Sequence, residues 1–276
     1  MDLSIEAQSL TDSFPAKADS DLHWKRKLDV ILILLALPFL IPVVLTVALL
    51  IRCGSKGPIL FMQERVGYRG RRFMCFKFRT MFVGAETASH QGHLQQLMNS
   101  NTPMTKMDSK GDPRIVPFGR LLRASGLDEL PQLINVLKGD MSLVGPRPCL
   151  AYEYQRYLPW QKERFLTLPG LTGLWQVSGK NKTTFVEMIQ LDIKYAKNKT
   201  IWWDLKIILM TVPALMVQML ETRWNGKKQA SSAVHRKALY ANRTPALSAF
   251  ARTPLVGVTH AVDGDEWVRK ETKLNL

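Results

Sequence analysis

Twenty-two consecutive residues without a charge, Val30–Ile51 (VILILLALPFLIPVVLTVALLI), constrain this chain more than any other feature. As a straight helix such a run measures about 33 Å, close to the hydrocarbon thickness of a bilayer. It follows a polar, acidic lead, and the Arg52-Cys53-Gly54-Ser55-Lys56 that comes after it is no small-residue cleavage site. It therefore reads as a resident membrane element, not a cleaved signal. Pro38 and Pro42 fall in its middle, where each removes a backbone hydrogen bond and bends a helix. Lys25, Arg26 and Lys27 precede the run; Arg52, Lys56, Arg65, Arg69, Arg71 and Arg72 follow it. Positive charge marks the cytoplasmic side of a membrane, and here both flanks carry it. A bent helix entering and leaving on one side satisfies both observations; a straight single-pass anchor is the alternative.

The remainder of the 276 residues suits one medium domain with appendages. Residues 1–21 read as a disordered lead, 22–52 as the membrane element and 53–220 as a domain with short strands and helices. Within it, 84–112 is polar and reads as a surface insertion. Strands are expected around Ile59-Leu60-Phe61 and over Phe73–Phe78, on either side of the turn V-G-Y-R-G. Helical patterns cover 118–124, 129–138, 151–165 and 184–198. Ile201–Leu220 opens with two tryptophans, carries Asp204 and Lys206 and contains Pro213. It reads as an interfacial helix lying along a bilayer, with a buried core helix as the alternative. From Glu221 onward, 10 Lys/Arg stand against 5 Asp/Glu with no sustained period, which predicts a basic, disordered tail over 221–276. The fold class is thus α+β, mostly helical: a membrane helix, re-entrant or single-pass, plus a compact domain with short strands and interfacial helices.

The formal charge of +15 points to an anionic partner: nucleic acid, acidic lipid or a phosphorylated substrate. Cys53, Cys75 and Cys149 are far apart in sequence, which argues for a reducing compartment and against a disulfide framework or zinc site. The chemistry concentrates between Leu127 and Pro148, LDELPQLINVLKGDMSLVGPRP. Leu130, Leu133, Ile134 and Leu137 repeat at i, i+3, i+4 and i+7, predicting a helix with one buried face. Asp128 and Glu129 then fall at its start, where free N–H groups and the dipole favour negative charge. Consecutive helical side chains diverge by about 100°, so the two acids cannot both attack one atom, and a division of labour is the natural reading. Arg147, between Pro146 and Pro148, is a pre-ordered guanidinium suited to a phosphate. Lys77 and Arg79 alternate with Phe76 and Phe78, so both share one face of a strand.

Several patterns occur in one order: K-R-K-L-D (Lys25–Asp29), G-P-I-L-F-M-Q-E-R-V-G (Gly57–Gly67), F-K-F-R-T-M (Phe76–Met81) and D-P-R-I-V-P-F-G-R-L-L-R (Asp112–Arg123). The L-D-E-L-P-Q to G-P-R-P block, P-G-L-T-G-L-W-Q-V-S-G-K (Pro169–Lys180) and L-D-I-K-Y (Leu191–Tyr195) complete the set. Together they closely resemble the bacterial sugar transferases, the monotopic polyprenyl-phosphate phosphoglycosyl transferases that start polysaccharide assembly. The resemblance covers roughly residues 22–220. It implies transfer of a sugar 1-phosphate from a nucleotide diphosphate sugar, usually a UDP-sugar, to undecaprenyl phosphate, with release of UMP and Mg²⁺ as cofactor. It puts the nucleophile, through a phospho-aspartyl intermediate, on Asp128 and its partner acid on Glu129, both near the metal. Arg114, Arg164, Gln176 and Asp192 fall at motif positions; Asp192 is either a second carboxylate near the metal or a helix-surface acid. Trp175 stacks on a base or fills core, and core is favoured. Pro42 matches the kink proline, although Ile41 replaces the serine often found before it.

The resemblance also implies the bacterial inner membrane, with the domain on its cytoplasmic face in contact with membrane lipids. It leaves assembly with further copies or with other polysaccharide-assembly proteins open. The competing class is a non-catalytic, basic, membrane-anchored scaffold of such an assembly, which would not need the dyad beside Pro-Arg-Pro. Nucleic acid is set aside as a partner, because the basic residues form no recognised module and cluster near the membrane segment.

Overall fold

A computed structural model describes residues 17–83, 114–179 and 182–221, together with short stretches between 92 and 104. The expectations for the lead before residue 17, the tail after Glu221 and most of 84–112 lie outside the described residues. Helix α1, Lys17–Gly54, runs through both prolines as one continuous element. A hairpin follows, in which β1 (Leu60–Val66) pairs antiparallel with β2 (Arg72–Phe78), Leu60 opposite Phe78 and Val66 opposite Arg72. Then come α2 (Gly119–Ser125), a 3₁₀ turn (Leu127–Glu129), α3 (Gln132–Lys138) and β3 (Ser142–Val144). A short α4 (Ala151–Tyr154) and a 3₁₀ segment (Pro159–Leu166) lead to β4 (Gly170–Thr172), α5 (Leu174–Val177) and α6 (Phe185–Asn198). The described chain closes on α7, Ile201–Glu221.

Two expected helices are corrected. The pattern over 129–138 is a 3₁₀ turn followed by α3, because Pro131 cannot donate within a helix and α3 starts just after it. The N–H of Glu129 is spent on the Gly126 carbonyl at 3.0 Å, so the acids do not enjoy a free helix N-terminus. The buried face of α3 is also not the apolar one: Gln132, Asn135 and Val136 are buried, while Ile134 and Leu137 are exposed. The 151–165 pattern is likewise divided, since Pro159 opens a separate 3₁₀ segment.

The parallel pair β3–β4 explains why two glycine-bearing motifs occur together. A Cβ on Gly170 would sit 2.0 Å from the Gly145 nitrogen, and one on Gly173 would sit 2.2 Å from the Gly145 oxygen. Only glycine lets these backbones approach, and the approach fixes the start of the Pro146-Arg147-Pro148 turn against Pro169–Gly173. An antiparallel bridge between Val66 and Cys149 brings the far end of that turn to β1.

The apolar core is divided, and α1 takes part in two pieces of it. Ile33 packs with Cys75, Val136 and Met141; Val47 and Ile51 pack with Phe78 and Leu122. A third cluster, with Val66, Phe165, Trp175, Phe185 and Ile189, lies within the domain and confirms Trp175 as a core residue. The start of α1 is bound by charge. Lys25, fully buried, donates to Asp204 Oδ2 of α7 at 2.5 Å, to Tyr195 Oη at 2.8 Å and to the Val144 carbonyl at 3.0 Å. Asp29 accepts from the Leu143 N–H at 3.1 Å, and the Arg26 guanidinium donates to the last carbonyls of α3, Val136 and Leu137. Lys25 and Arg26 are therefore joints between helix and domain, and of the three flanking cations only Lys27 is exposed.

On α7, Asp204 and Ile207 are buried while Trp202, Leu209, Val212, Met216 and Leu220 are exposed. An apolar helix with one packed stripe is not a core helix, which removes that alternative. Both α1 and α7 are long and apolar enough to cross a membrane.

Candidate active site

A cavity of 690 Å³ opens between α1, the hairpin, the Leu127–Glu129 turn and α7. Of the residues singled out from the sequence, Lys77, Asp128, Glu129, Arg147, Arg164 and Gln176 line it.

The dyad is placed by a buried asparagine. Asn135, with no exposed surface, donates to the Met74 carbonyl at 2.7 Å and accepts from the Phe76 N–H at 3.0 Å. It completes the hydrogen bonding of the edge strand β2 and clamps α3, with the turn before it, against that strand. Lys77, next along β2, then reaches Glu129, Nζ to Oε1 at 2.8 Å, in a pair 19% and 24% exposed. In a 3₁₀ turn successive side chains diverge by about 120°, so Asp128, which also lines the cavity, takes a different heading from Glu129.

The Pro-Arg-Pro turn is clamped from behind by two buried arginines. Arg164 donates to the Arg147 carbonyl at 2.9 Å, to Tyr157 Oη at 2.7 Å and to Asp192 Oδ2 at 2.6 Å. Arg65 donates to the Pro148 carbonyl at 3.2 Å and to Gln63 Oε1 at 2.7 Å. With both carbonyls held, the side chain of Arg147 is left to the cavity, and its guanidinium has no hydrogen-bond partner among the described residues. The Nε groups of Arg65 and Arg164 and the Gln176 Oε1 are buried without a partner there too. The unsatisfied guanidinium donors among these are what a phosphate group completes. Glu153 also lines the cavity. Burial pushes its carboxyl above the ordinary range, against the pull of Arg65, Arg147 and Arg164.

Three singled-out residues lie elsewhere. Arg79 is buried against the end of α1, donating to the Lys56 carbonyl at 2.8 Å and to Ser55. It shares a strand face with Lys77 but caps a helix. Asp192 is buried and paired with Arg164, so it is no surface acid, and it stands behind the cavity wall. Arg114 sits where Met81 bridges Ile115, outside the lining. The region read as a surface insertion contributes inward: Leu97 is buried, and it lines the cavity with Met104. Arg65 and Glu153 were missed from the sequence. Arg65 was counted as flanking charge, and the available signal was Gln63 two residues before it on the same strand face.

No group of three His, Cys, Asp or Glu among the described residues forms a metal cage. Two carboxylates on one cavity wall are nevertheless the donor set Mg²⁺ uses when substrate phosphates and water complete its shell, so Asp128 and Glu129 fit that ion.

A cationic cavity carrying carboxylates, walled on one side by two apolar helices, defines a membrane-associated protein that handles anions. The chain belongs to the bacterial sugar transferase family, whose model matches residues 20–218. It is 45% identical over 162 residues to the galactosyl transferase CpsE of Streptococcus agalactiae, covering 58% of this chain and 35% of that one. Over 200 residues it is 42% identical to the UDP-glucose:undecaprenyl-phosphate glucose-1-phosphate transferase of Caulobacter vibrioides, covering 70% of this chain and 69% of that one. It is also 37% identical over 196 residues to the exopolysaccharide production protein ExoY of Sinorhizobium fredii, covering 69% and 84%. The chain thus spans about a third of the streptococcal relative and most of the Sinorhizobium one.

Proposed function

We propose that this protein transfers a sugar 1-phosphate from a UDP-sugar to undecaprenyl phosphate, releasing UMP, as the first membrane step of polysaccharide synthesis. The observation that carries the reading is the meeting in one cavity of Asp128, the Lys77–Glu129 pair and Arg147. A scaffold has no use for such an arrangement. In the first half-reaction an Asp128 carboxylate oxygen attacks the sugar-bearing phosphorus. The bond from that phosphorus to the bridging oxygen breaks, and UMP leaves. In the second, an oxygen of the lipid phosphate attacks the same phosphorus and frees Asp128. The sugar–oxygen bond is untouched throughout. Arg147, steadied by Arg65 and Arg164, binds the diphosphate; Lys77 pairs with Glu129 and holds it at the cavity wall. Asp128 and Glu129 would hold Mg²⁺, which when bound would supply charge neutralisation for the diphosphate.

The membrane helix is re-entrant in this reading, so that residues 1–21 and the domain share the cytoplasmic face. Positive charge on both flanks and the paired prolines support it.

The test is single turnover in detergent. Enzyme with UDP-sugar and Mg²⁺, without lipid, is expected to release about one equivalent of UMP and gain a phosphosugar's mass. Asp128→Asn is expected to stay folded and lose both. Retention of more than a few per cent of turnover by that variant would remove Asp128 as nucleophile.

A further inference from the structure

The cavity has two characters, and the function just proposed uses only one. Opposite the carboxylates its wall is apolar and comes from two helices. Leu32, Ala36 and Leu40 stand at i, i+4 and i+8 on α1; Ile208, Val212 and Leu215 stand on α7. Neither helix is free to close the gap or drift from it. Lys25 and Asp204 join their starts at 2.5 Å in a pair 0% and 1% exposed. Further along, Thr211 is hydrogen-bonded to Thr172 across β4 at 2.8 Å, and Gln218 donates to the Ala124 carbonyl of α2 at 2.8 Å. The space between is therefore a preformed slot. Its outer edges belong to two helices whose remaining faces are apolar and exposed, with Leu35, Phe39, Leu209 and Met216 among them. The same cavity is lined by Lys77, Arg147 and Asp128.

We propose that the slot between α1 and α7 holds the first isoprene units of the lipid phosphate acceptor, presenting its phosphate to Arg147 and Asp128 while the rest of the chain stays in the bilayer. The proposal rests on the function proposed above. Charge selects the occupant: an apolar chain ending in a phosphate matches both ends of the slot, whereas a neutral lipid leaves the arginines unsatisfied. The volume of 690 Å³ is that of a pocket for a head group and a short stretch of chain, not for a whole polyprenol. α7 is then a binding wall for the acceptor rather than an anchor alone.

The experiment separates the two half-reactions. Ala36→Trp and Ala214→Trp fill the slot from its two sides. Each is expected to leave the UMP burst from UDP-sugar within about two-fold of wild type, while transfer to polyprenyl phosphate falls at least about ten-fold through a raised KM. Transfer to methyl phosphate is expected to change less than about three-fold, since no chain then enters the slot. A polyprenyl phosphate with a diazirine in its first isoprene unit is expected to label residues 32–40 and 208–215 of the wild-type protein. If the tryptophans unfold the chain, this labelling decides. Labelling confined to other segments, or lipid transfer unaffected by either tryptophan, overturns the slot. A wild-type protein that releases no UMP refutes the proposed function instead, whatever the labelling pattern.

Discussion

The lysine–carboxylate pairs Lys25–Asp204 and Lys77–Glu129 do opposite things. Lys25–Asp204 is sealed, 0% and 1% exposed at 2.5 Å, and shares its charge with Tyr195 and the Val144 carbonyl. Lys77–Glu129 has a similar length, 2.8 Å, but is 19% and 24% exposed and faces the cavity. The first pair is satisfied on every side, so neither partner can be lent to a ligand. The second is partly exposed and lines the cavity. The same two functional groups thus make a joint where water is excluded and, in the function proposed above, part of a reactive site where it is not.

The largest expected effect comes from breaking the sealed pair. Lys25→Met leaves Asp204 buried without its cation, a change costing about 3–5 kcal/mol. Thermal unfolding in detergent should show most of the folded state lost, and Lys25→Met with Asp204→Leu should recover much of it. A Lys25→Met protein melting within a degree or two of wild type would show that the joint carries no stability. Breaking the open pair should do the reverse. Lys77→Met and Glu129→Gln are each expected to lower turnover about 10²–10³-fold. Their melting is expected to shift by less than about 1 kcal/mol, because the pair is partly solvated. Equal losses of stability from both pairs would erase the distinction.

The smallest effect sharpens the contrast within the cavity. Burial raises the Glu153 carboxyl, so between the ordinary carboxylate value and its raised one the folded protein holds a proton that the unfolded chain releases. Rising pH through that window therefore costs stability, and it also places a negative charge beside Arg65, Arg147 and Arg164. KM for the UDP-sugar is expected to rise with pH across the window. Glu153→Gln should flatten the dependence and lower KM about two- to five-fold above that window. An unchanged profile would mean that Glu153 does not face the bound diphosphate.

Much of this was legible in the sequence, and what was not has a common cause. The hairpin, the helices at 119–125 and 185–198 and the stop at Gly139 follow from local pattern and turn chemistry. The acids and Arg147 announced themselves by residue type beside prolines. The partners of the buried charges did not. Lys25 meets Asp204 across 179 positions and Arg79 meets Ser55 across 24, and a cation in a one-dimensional pattern looks solvated until its partner arrives. The apolar stripe of α3 misled for a related reason: near a membrane, leucine outward and asparagine inward is a stable choice. Asn135 was worth burying because it completes a strand edge.

The spacing of Lys25, Asp29 and Ile33 on α1, one turn apart and all buried in the domain, gears the membrane helix to the catalytic turn. A single inserted residue between Asp29 and Ile33 would rotate everything beyond it by about 100° and lift it by about 1.5 Å. Ile33 would turn toward lipid, and the slot face of the helix would swing away from Asp128. In the function proposed above the helix is a gauge: it would fix at what height, and with which side facing inward, Asp128 meets the surface of the bilayer. Lengthening it by two whole turns, about seven residues, would keep the facing and change the height alone.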